Sequence, residues 1–255
     1  MSKIAKQFLY GLFYLAILGG IGTLVYFTSF RSAPGCTNGR LDSGEEGVDC
    51  GGVCANVCVP ADISAIQIPE PIWVFKPAEN TVALLIKVQN PNLEFAAREF
   101  EYKIELFDAS DNLLETIPGQ SFIYAGEIKY LAVVEETARA GSVYRAFLTV
   151  GRASWEKQGV FPRPEIGEVE NKSFANDGKT ITASGRVTNK DASVLPRAEV
   201  IAVFMNKFGT PAGVSLTELD NLNPNESRQF SIIHPANAAI DTARTRFYVY
   251  YALRP

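Results

Sequence analysis

Hydrophobic and polar residues follow three different rhythms along this chain. From Phe8 to Phe27 the run FLYGLFYLAILGGIGTLVYF holds no charged residue. Continued to Phe30 it covers about 23 positions, roughly 34 Å as a helix, enough to cross a hydrocarbon core of ~30 Å. From 31 to 60 no apolar period exists, and glycine, small polar residues and cysteine dominate. From 61 onward the period is two. Val82, Leu84, Ile86 and Val88 share one strand face, and Phe100-Glu101-Tyr102-Lys103-Ile104-Glu105-Leu106 alternates apolar with charged. Such alternation marks strands with one face buried and one face wet. Asn90-Pro91-Asn92, Ser110-Asp111-Asn112, Pro118-Gly119 and Ala125-Gly126 punctuate the runs as turns. The expected fold class is mainly β: an N-terminal transmembrane helix, a small disulfide-rich loop module and two tandem immunoglobulin-like β-sandwiches.

The β region repeats at about 99 residues. Val82–Asn90 aligns with Ile181–Asn189, Leu106-Phe107-Asp108 with Val203-Phe204-Met205, Ala125–Tyr130 with Pro224–Gln229, and Arg145–Val150 with Arg246–Tyr251. A ~100-residue unit with a strand every ~8–12 residues has the size and rhythm of an immunoglobulin-like sandwich. The expected boundaries are 1–30 for the cytoplasmic stub and helix, 31–60 for the cysteine module, 61–157 and 165–255 for the sandwiches, and 158–164 for a linker. Pro162 and Pro164 stiffen that linker, which predicts an extended arrangement of the two domains. In the last strand, Tyr248 and Tyr250 alternate with Phe247 and Tyr251, so one aromatic set is expected to face outward.

Aromatic residues gather at both ends of the apolar run: Phe8, Tyr10, Phe13 and Tyr14, then Tyr26, Phe27 and Phe30. This is the belt expected at two lipid–water interfaces. Lys3 and Lys6 precede the run and Arg31 and Arg40 follow it, so charge alone leaves orientation open. The four cysteines resolve it, because they favour an oxidising space on the C-terminal side. The expected topology is single-pass in the cell membrane, N-terminus cytoplasmic and C-terminal domains extracytoplasmic. A cleaved signal peptide, with its shorter apolar core, and a lipoprotein site at Cys36 are the rivals. Ala16 and Gly20 form a small-xxx-small pair beside Gly19, a pattern that lets membrane helices pack closely. Glycine is also common in membrane helices without such a role, so oligomerisation or a partner helix is the alternative use of that face, with membrane lipid as the remaining contact.

All four cysteines, Cys36, Cys50, Cys54 and Cys58, fall in the second segment. With no apolar core, this segment calls for cross-links, and four cysteines allow three pairings. Their C-x13-C-x3-C-x3-C spacing fits zinc poorly, because both short steps share Cys54. Asn38, Asp42, Glu45, Glu46 and Asp49 place oxygen donors along a glycine-rich loop, the ligand type that calcium takes. Calcium is therefore the candidate cofactor here, with a solvated acidic turn as the plain alternative.

Residues 36–58 resemble a short cysteine-rich module of bacterial surface and secreted proteins, approximately C-x-[DN]-G-x-x-[DN]-G-x-E-x-x-V-D-C-G-G-x-C-x-x-C. The match rests on Cys36, Asn38, Gly39, Asp42, Glu45, Val48, Asp49, Cys50, Gly51, Gly52 and Cys54, with Ser43 and the last spacing as departures. Both β units resemble FxLYD-type domains, immunoglobulin-like sandwiches of prokaryotic exported proteins. Ile104–Asp108 stands at F-x-L-Y-D in the first, and Ser184–Asn189 at V-x-G-x-V-x-N in the second, where Ile201–Met205 departs from the pattern. Asn90-Pro91-Asn92 also resembles the water-stress sandwich domains. These resemblances imply an exported β-sandwich protein and no particular activity.

The net charge of −4 disfavours nucleic acid as a partner. The single histidine, His234, is expected as a capped or solvent-facing residue at a strand end. No nucleophile elbow, zinc-protease, P-loop or dinucleotide motif is present, and Glu135-Glu136 is a paired acid on which nothing else converges. Asn171-Lys172-Ser173 and Asn225-Glu226-Ser227 fit the glycosylation sequon, a match that in a bacterial protein is one of chance. Trp73 and Trp155 bracket the first sandwich as core residues or as aromatic platforms for a partner. The expected function is a non-enzymatic structural or binding protein, with a protein partner in the envelope or at the cell surface. The alternative is an accessory or sensor subunit of a membrane complex.

Overall fold

The computed structural model describes residues 3–26, 35–137, 139–165 and 167–252. Phe27 and Phe30 of the second aromatic belt, and Arg31, lie outside the described residues. Helix α1 (Lys3–Val25) is long and apolar enough to cross a membrane, a property it shares with signal sequences. Its described side chains are exposed. Thr23 Oγ1 folds back to donate to the carbonyls of Gly19 (2.9 Å) and Gly20 (2.8 Å), keeping its hydroxyl satisfied within the helix.

The chain divides into two compact units, 1–58 and 59–255. In the first, the disulfides pair Cys36 with Cys54 and Cys50 with Cys58. Gly51 and Gly52 have positive φ (70° and 57°). A Cβ on Gly52 would lie 1.8 Å from the Gly44 carbonyl oxygen, so this turn admits only glycine.

Among the described residues the second unit holds twelve strands. They are β1 (Trp73–Ala78), β2 (Thr81–Gln89), β3 (Phe95–Phe107), β4 (Leu113–Ile123), β5 (Ile128–Glu136) and β6 (Arg145–Lys157), then β7 (Glu170–Asn176), β8 (Thr180–Thr188), β9 (Leu195–Asn206), β10 (Pro211–Leu222), β11 (Ser227–Pro235) and β12 (Ile240–Ala252). They form four antiparallel sheets, ordered β1-β2-β5, β4-β3-β6, β11-β8-β7 and β10-β9-β12. Adding six to each strand of the first two sheets reproduces the last two. The first pair closes over Val82, Leu84, Ile86, Phe100, Ile104 and Leu106, the second over Ile181, Ala183, Val200, Phe204, Phe230 and Tyr251. These are sandwiches of the immunoglobulin-like type, each with its own core.

The internal repeat has a hydrogen-bonded reason. Asn90 and Asn189 are fully buried. Asn90 Nδ2 donates to the carbonyls of Phe95 (2.7 Å) and Tyr124 (2.9 Å), tying the chain leaving β2 to the end of β4. Asn189 Nδ2 does the same for Ser193 (2.9 Å) and Leu222 (3.0 Å). Glu127 and Glu226 each cap their turn by accepting from a backbone N–H, that of Tyr124 and of Asn223, both at 2.9 Å. Gly126 and Asn225 hold matching left-handed positions, φ 65° and 60°. A buried loop must satisfy its backbone polar groups, and each unit does so with the same asparagine and glutamate.

The structure shifts one repeat alignment by a residue. Asp108 Oδ1 accepts from Ser110 N (2.8 Å) and Asn112 N (2.9 Å), and Asn206 Oδ1 accepts from Phe208 N (2.9 Å) and Thr210 N (3.0 Å). Asp108 therefore corresponds to Asn206, and Leu106 to the equally buried Phe204. The register of β3 against β6 shifts between Ala97 and Glu99 and again between Phe100 and Tyr102. Such bulges change spacing without leaving a mark in composition.

The expected extended arrangement of the sandwiches does not hold. Ala83 and Leu85, on the outer face of the first sandwich, are buried against Ile201, Val203, Met205, Val214 and Tyr250 of the second, with Phe75, Phe122, Tyr130 and Tyr248 around them. This seam forms because β2 and β9 are apolar on both faces, the mark of a strand covered on two sides. The linker is pinned as well. Phe161 is buried with Ala96 and Tyr124, stacks on Tyr124 at 4.9 Å between centroids, and carries the Arg98 guanidinium over its ring at 5.6 Å. The outward-facing aromatic set of β12, Tyr248 and Tyr250, is spent on this seam.

Candidate binding site at the mouth of the seam

Among the described residues, several polar contacts cross the seam. Tyr124 donates through its hydroxyl to the Tyr251 carbonyl at 2.7 Å, and the Tyr250 hydroxyl accepts from Tyr130 N at 2.9 Å. Tyr130 N lies on the outer edge of β5, so the second sandwich caps an edge donor of the first. A further contact is electrostatic. Lys129 is 1% exposed and closes the side of the first sandwich that abuts the second. Its Nζ donates to Ser121 Oγ and the Phe122 carbonyl, both at 3.1 Å, and sits 3.5 Å above the Phe122 ring and 5.1 Å from the Tyr250 ring. Burial pushes its pKa down to about 8, against the pull of Glu199 and Glu127. Burial likewise raises the Glu199 carboxyl, which Lys129 holds back.

At one mouth of the seam a notch of about 170 Å³ opens between the domains, lined by Trp73, Tyr130, Met205, Tyr248, Glu70 and Arg246 among others. Strand geometry places them. Trp73 stands opposite Leu85 in the β1–β2 register, Lys87 opposite Tyr130 between β2 and β5, and Arg246 and Tyr248 opposite Val203 and Ile201 between β12 and β9. Residues two apart share a face, so the same faces that build the seam carry these side chains to its rim. Lys87 Nζ meets Glu70 Oε1 at 2.6 Å, and this hydrogen bond raises the lysine pKa above its ordinary value. The Tyr130 and Tyr248 rings lie 4.6 Å apart, tilted at 45°. Burial raises the Tyr130 pKa, with the neighbouring Tyr248 adding to it. The notch offers an exposed indole, two phenols, an ion pair and a guanidinium, the mixture of apolar lining and few polar groups found in ligand sites at domain boundaries.

The structure separates the two tryptophans. Trp155 packs half-buried against the first core, whereas Trp73 is 39% exposed at the seam mouth. The remaining notch residues carried one sequence signal, the near-continuous apolar runs Val82–Ile86 and Val200–Met205, which point to strands covered on both faces.

In the disulfide module, Asp49 accepts from Asn38 N (2.8 Å) and Gly39 N (2.7 Å). Asp42 accepts from Gly35 N (2.9 Å) and Asn38 Nδ2 (2.7 Å), and Glu45 from Asp42 N (2.9 Å) and Asp49 N (3.3 Å). Asn38 Oδ1 accepts from Arg40 N at 2.9 Å. These oxygens satisfy the backbone of a loop that has no core, a structural use that does not call for a cation. Glu46 stands beside Gly51, whose Cβ would meet its side chain at 2.5 Å. Cys36, Glu45 and Cys54 bring donor atoms within 4.8 Å of one another, but the two sulfurs are bonded to each other and offer no thiolate.

Ala16, Gly19 and Gly20 share an open helix surface, and a Cβ on either glycine would meet nothing within 4 Å. His234 is corrected from the expected capped or exposed position. It is 2% exposed, stacks on Phe204 at 4.6 Å, and bonds through Nδ1 to Ser215 Oγ at 2.9 Å. Gly213 leaves it room, since a Cβ there would lie 2.5 Å from Nε2. Glu135 and Glu136 are neighbours in β5 and project to opposite faces.

No protein-family model matches the chain, so the FxLYD-type and cysteine-module resemblances stand on their motifs alone. No curated protein matches it either. Among solved structures, the crystal structure of red sea bream transglutaminase is a distant neighbour, with a TM-score of 0.22 and 10% identity over 74% of this chain and 31% of that one.

Proposed function

We propose that the chain is a single-pass membrane protein that holds two immunoglobulin-like sandwiches outside the cell membrane, N-terminus in the cytoplasm, as a non-enzymatic binding or structural module. The observation that carries this reading is the seam. Two sandwiches joined by a buried apolar interface and a pinned linker present one fixed surface, which suits display of a site between them. The confinement of both disulfides to residues 36–58, directly after the apolar helix, supports an oxidising space for everything beyond it. The short FxLYD-type and cysteine-module motifs agree with an exported protein.

A second reading, an accessory or sensor subunit of an envelope complex, is favoured by the open Ala16, Gly19 and Gly20 surface. One experiment addresses both. Protease added to intact cells is expected to degrade residues beyond the helix and leave the N-terminal stub; protection of the sandwiches would refute external display. Pull-down from detergent-solubilised membranes is then compared with the Gly20→Leu variant. A stoichiometric membrane partner lost in the variant establishes the subunit reading, and an unchanged profile establishes simple display.

A further inference from the structure

The seam mouth holds one positive charge more than its own residues neutralise. Lys87 is matched by Glu70, whereas Arg246, exposed on the rim, has no hydrogen-bond or ion-pair partner among the described residues. Beside it stand the exposed indole of Trp73 and the phenols of Tyr130 and Tyr248. Each group has a chemistry of recognition. A guanidinium binds a carboxylate through two parallel N–H donors. An indole presents a flat apolar face on which the C–H side of a sugar ring can lie, and its neighbours supply hydroxyl and carboxylate partners for sugar hydroxyls.

We infer that the notch binds an acidic sugar, with the ring of a uronate residue against Trp73 and its carboxylate on Arg246. The volume of about 170 Å³ suits one ring, leaving the rest of a glycan chain in solvent. A neutral sugar would leave the Arg246 charge uncompensated, and a bare anion would make no use of the indole. The inference rests on the external-display reading for where such a glycan is met, and on the notch alone for its chemistry.

The test is calorimetric titration of the full chain in detergent with glucuronate and galacturonate at constant ionic strength, together with tryptophan emission. Saturable binding in the millimolar range is expected, with a change in emission that disappears in Trp73→Phe. Arg246→Met is expected to weaken binding at least tenfold. Arg244→Met, whose guanidinium is held by Asp241 at 3.2 Å, is expected to leave it unchanged. Glucose is expected to bind at least tenfold more weakly, and acetate not to saturate. The proposal is overturned if neither uronate binds, if acetate binds as well as glucuronate, or if Arg246→Met binds as the parent does. The titration is independent of membrane orientation, so its failure leaves external display standing, and protease protection of the sandwiches in cells leaves the titration result intact.

Discussion

Lys129 is the side chain whose replacement most sharply tests how the two sandwiches are held. Burial depresses its pKa from 10.5 to about 8, and at ~1.4 kcal/mol per unit this sets the cost of keeping the buried charge near neutral pH at about 3 kcal/mol. Lys129→Met removes that cost and keeps a flexible chain of similar length against Phe122 and Tyr250. It also strands Ser121 Oγ and the Phe122 carbonyl, for a loss of about 1–2 kcal/mol. The variant is therefore expected to be more stable at pH 7 by roughly 1 kcal/mol, about 2–4 °C in Tm for a body of this size. The sign reverses with pH. A lysine whose folded pKa lies below its unfolded value is charged in the unfolded chain and neutral in the folded one between about 8 and 10.5. In that window the parent gains stability as pH rises and the variant does not. Glu127, Glu199 and Tyr250 also face the ammonium, and the Glu199 carboxyl, which Lys129 holds back, moves further up in the variant, so the lysine is read from the alkaline part of the difference curve. Differential scanning calorimetry of both full chains between pH 7 and 10 reads it out. A variant destabilised at pH 7, or a difference that does not change with pH, would refute the reasoning.

Asn189→Ala is expected to destabilise the protein by about 2–4 kcal/mol in denaturant unfolding, because the Ser193 and Leu222 carbonyls lose buried donors; a change below ~0.5 kcal/mol would remove the asparagine from the reason for the repeat. Burial pushes His234 down to about 4 from its ordinary 6.5. The parent should therefore lose up to about 3 kcal/mol as pH falls from 6.5 toward 4, and His234→Gln should lack that slope in an acid titration of stability. Reduction of the disulfides is expected to unfold residues 36–58, at ~2–4 kcal/mol per bond, while leaving the thermal midpoint of the sandwiches unchanged, since those domains contain no cysteine. A fall in that midpoint under reductant would show that the module supports the sandwiches.

Local chemistry determined what this sequence could disclose unaided. An uncharged run long enough for a bilayer, cysteines confined to a segment with no apolar period, and strict alternation such as Phe100–Leu106 each act over a few neighbouring residues, and each specifies its element without reference to the rest of the chain. The repeat was legible because Asn90 with Glu127 recurs as Asn189 with Glu226, although the asparagines act across the fold, reaching the carbonyls of Tyr124 and Leu222. Tertiary structure alone decided what depends on distant segments meeting. The apolar runs holding Leu85 and Val203 mark strands covered on both faces without saying by what; the outer faces of β2 and β9 close on each other, which hides Lys129 and places Trp73, Arg246 and Tyr248 around one notch. The cysteine pairing and the burial of His234 belong to the same class. In each, the deciding contact joins residues whose spacing along the chain carries no energy until the fold brings them together.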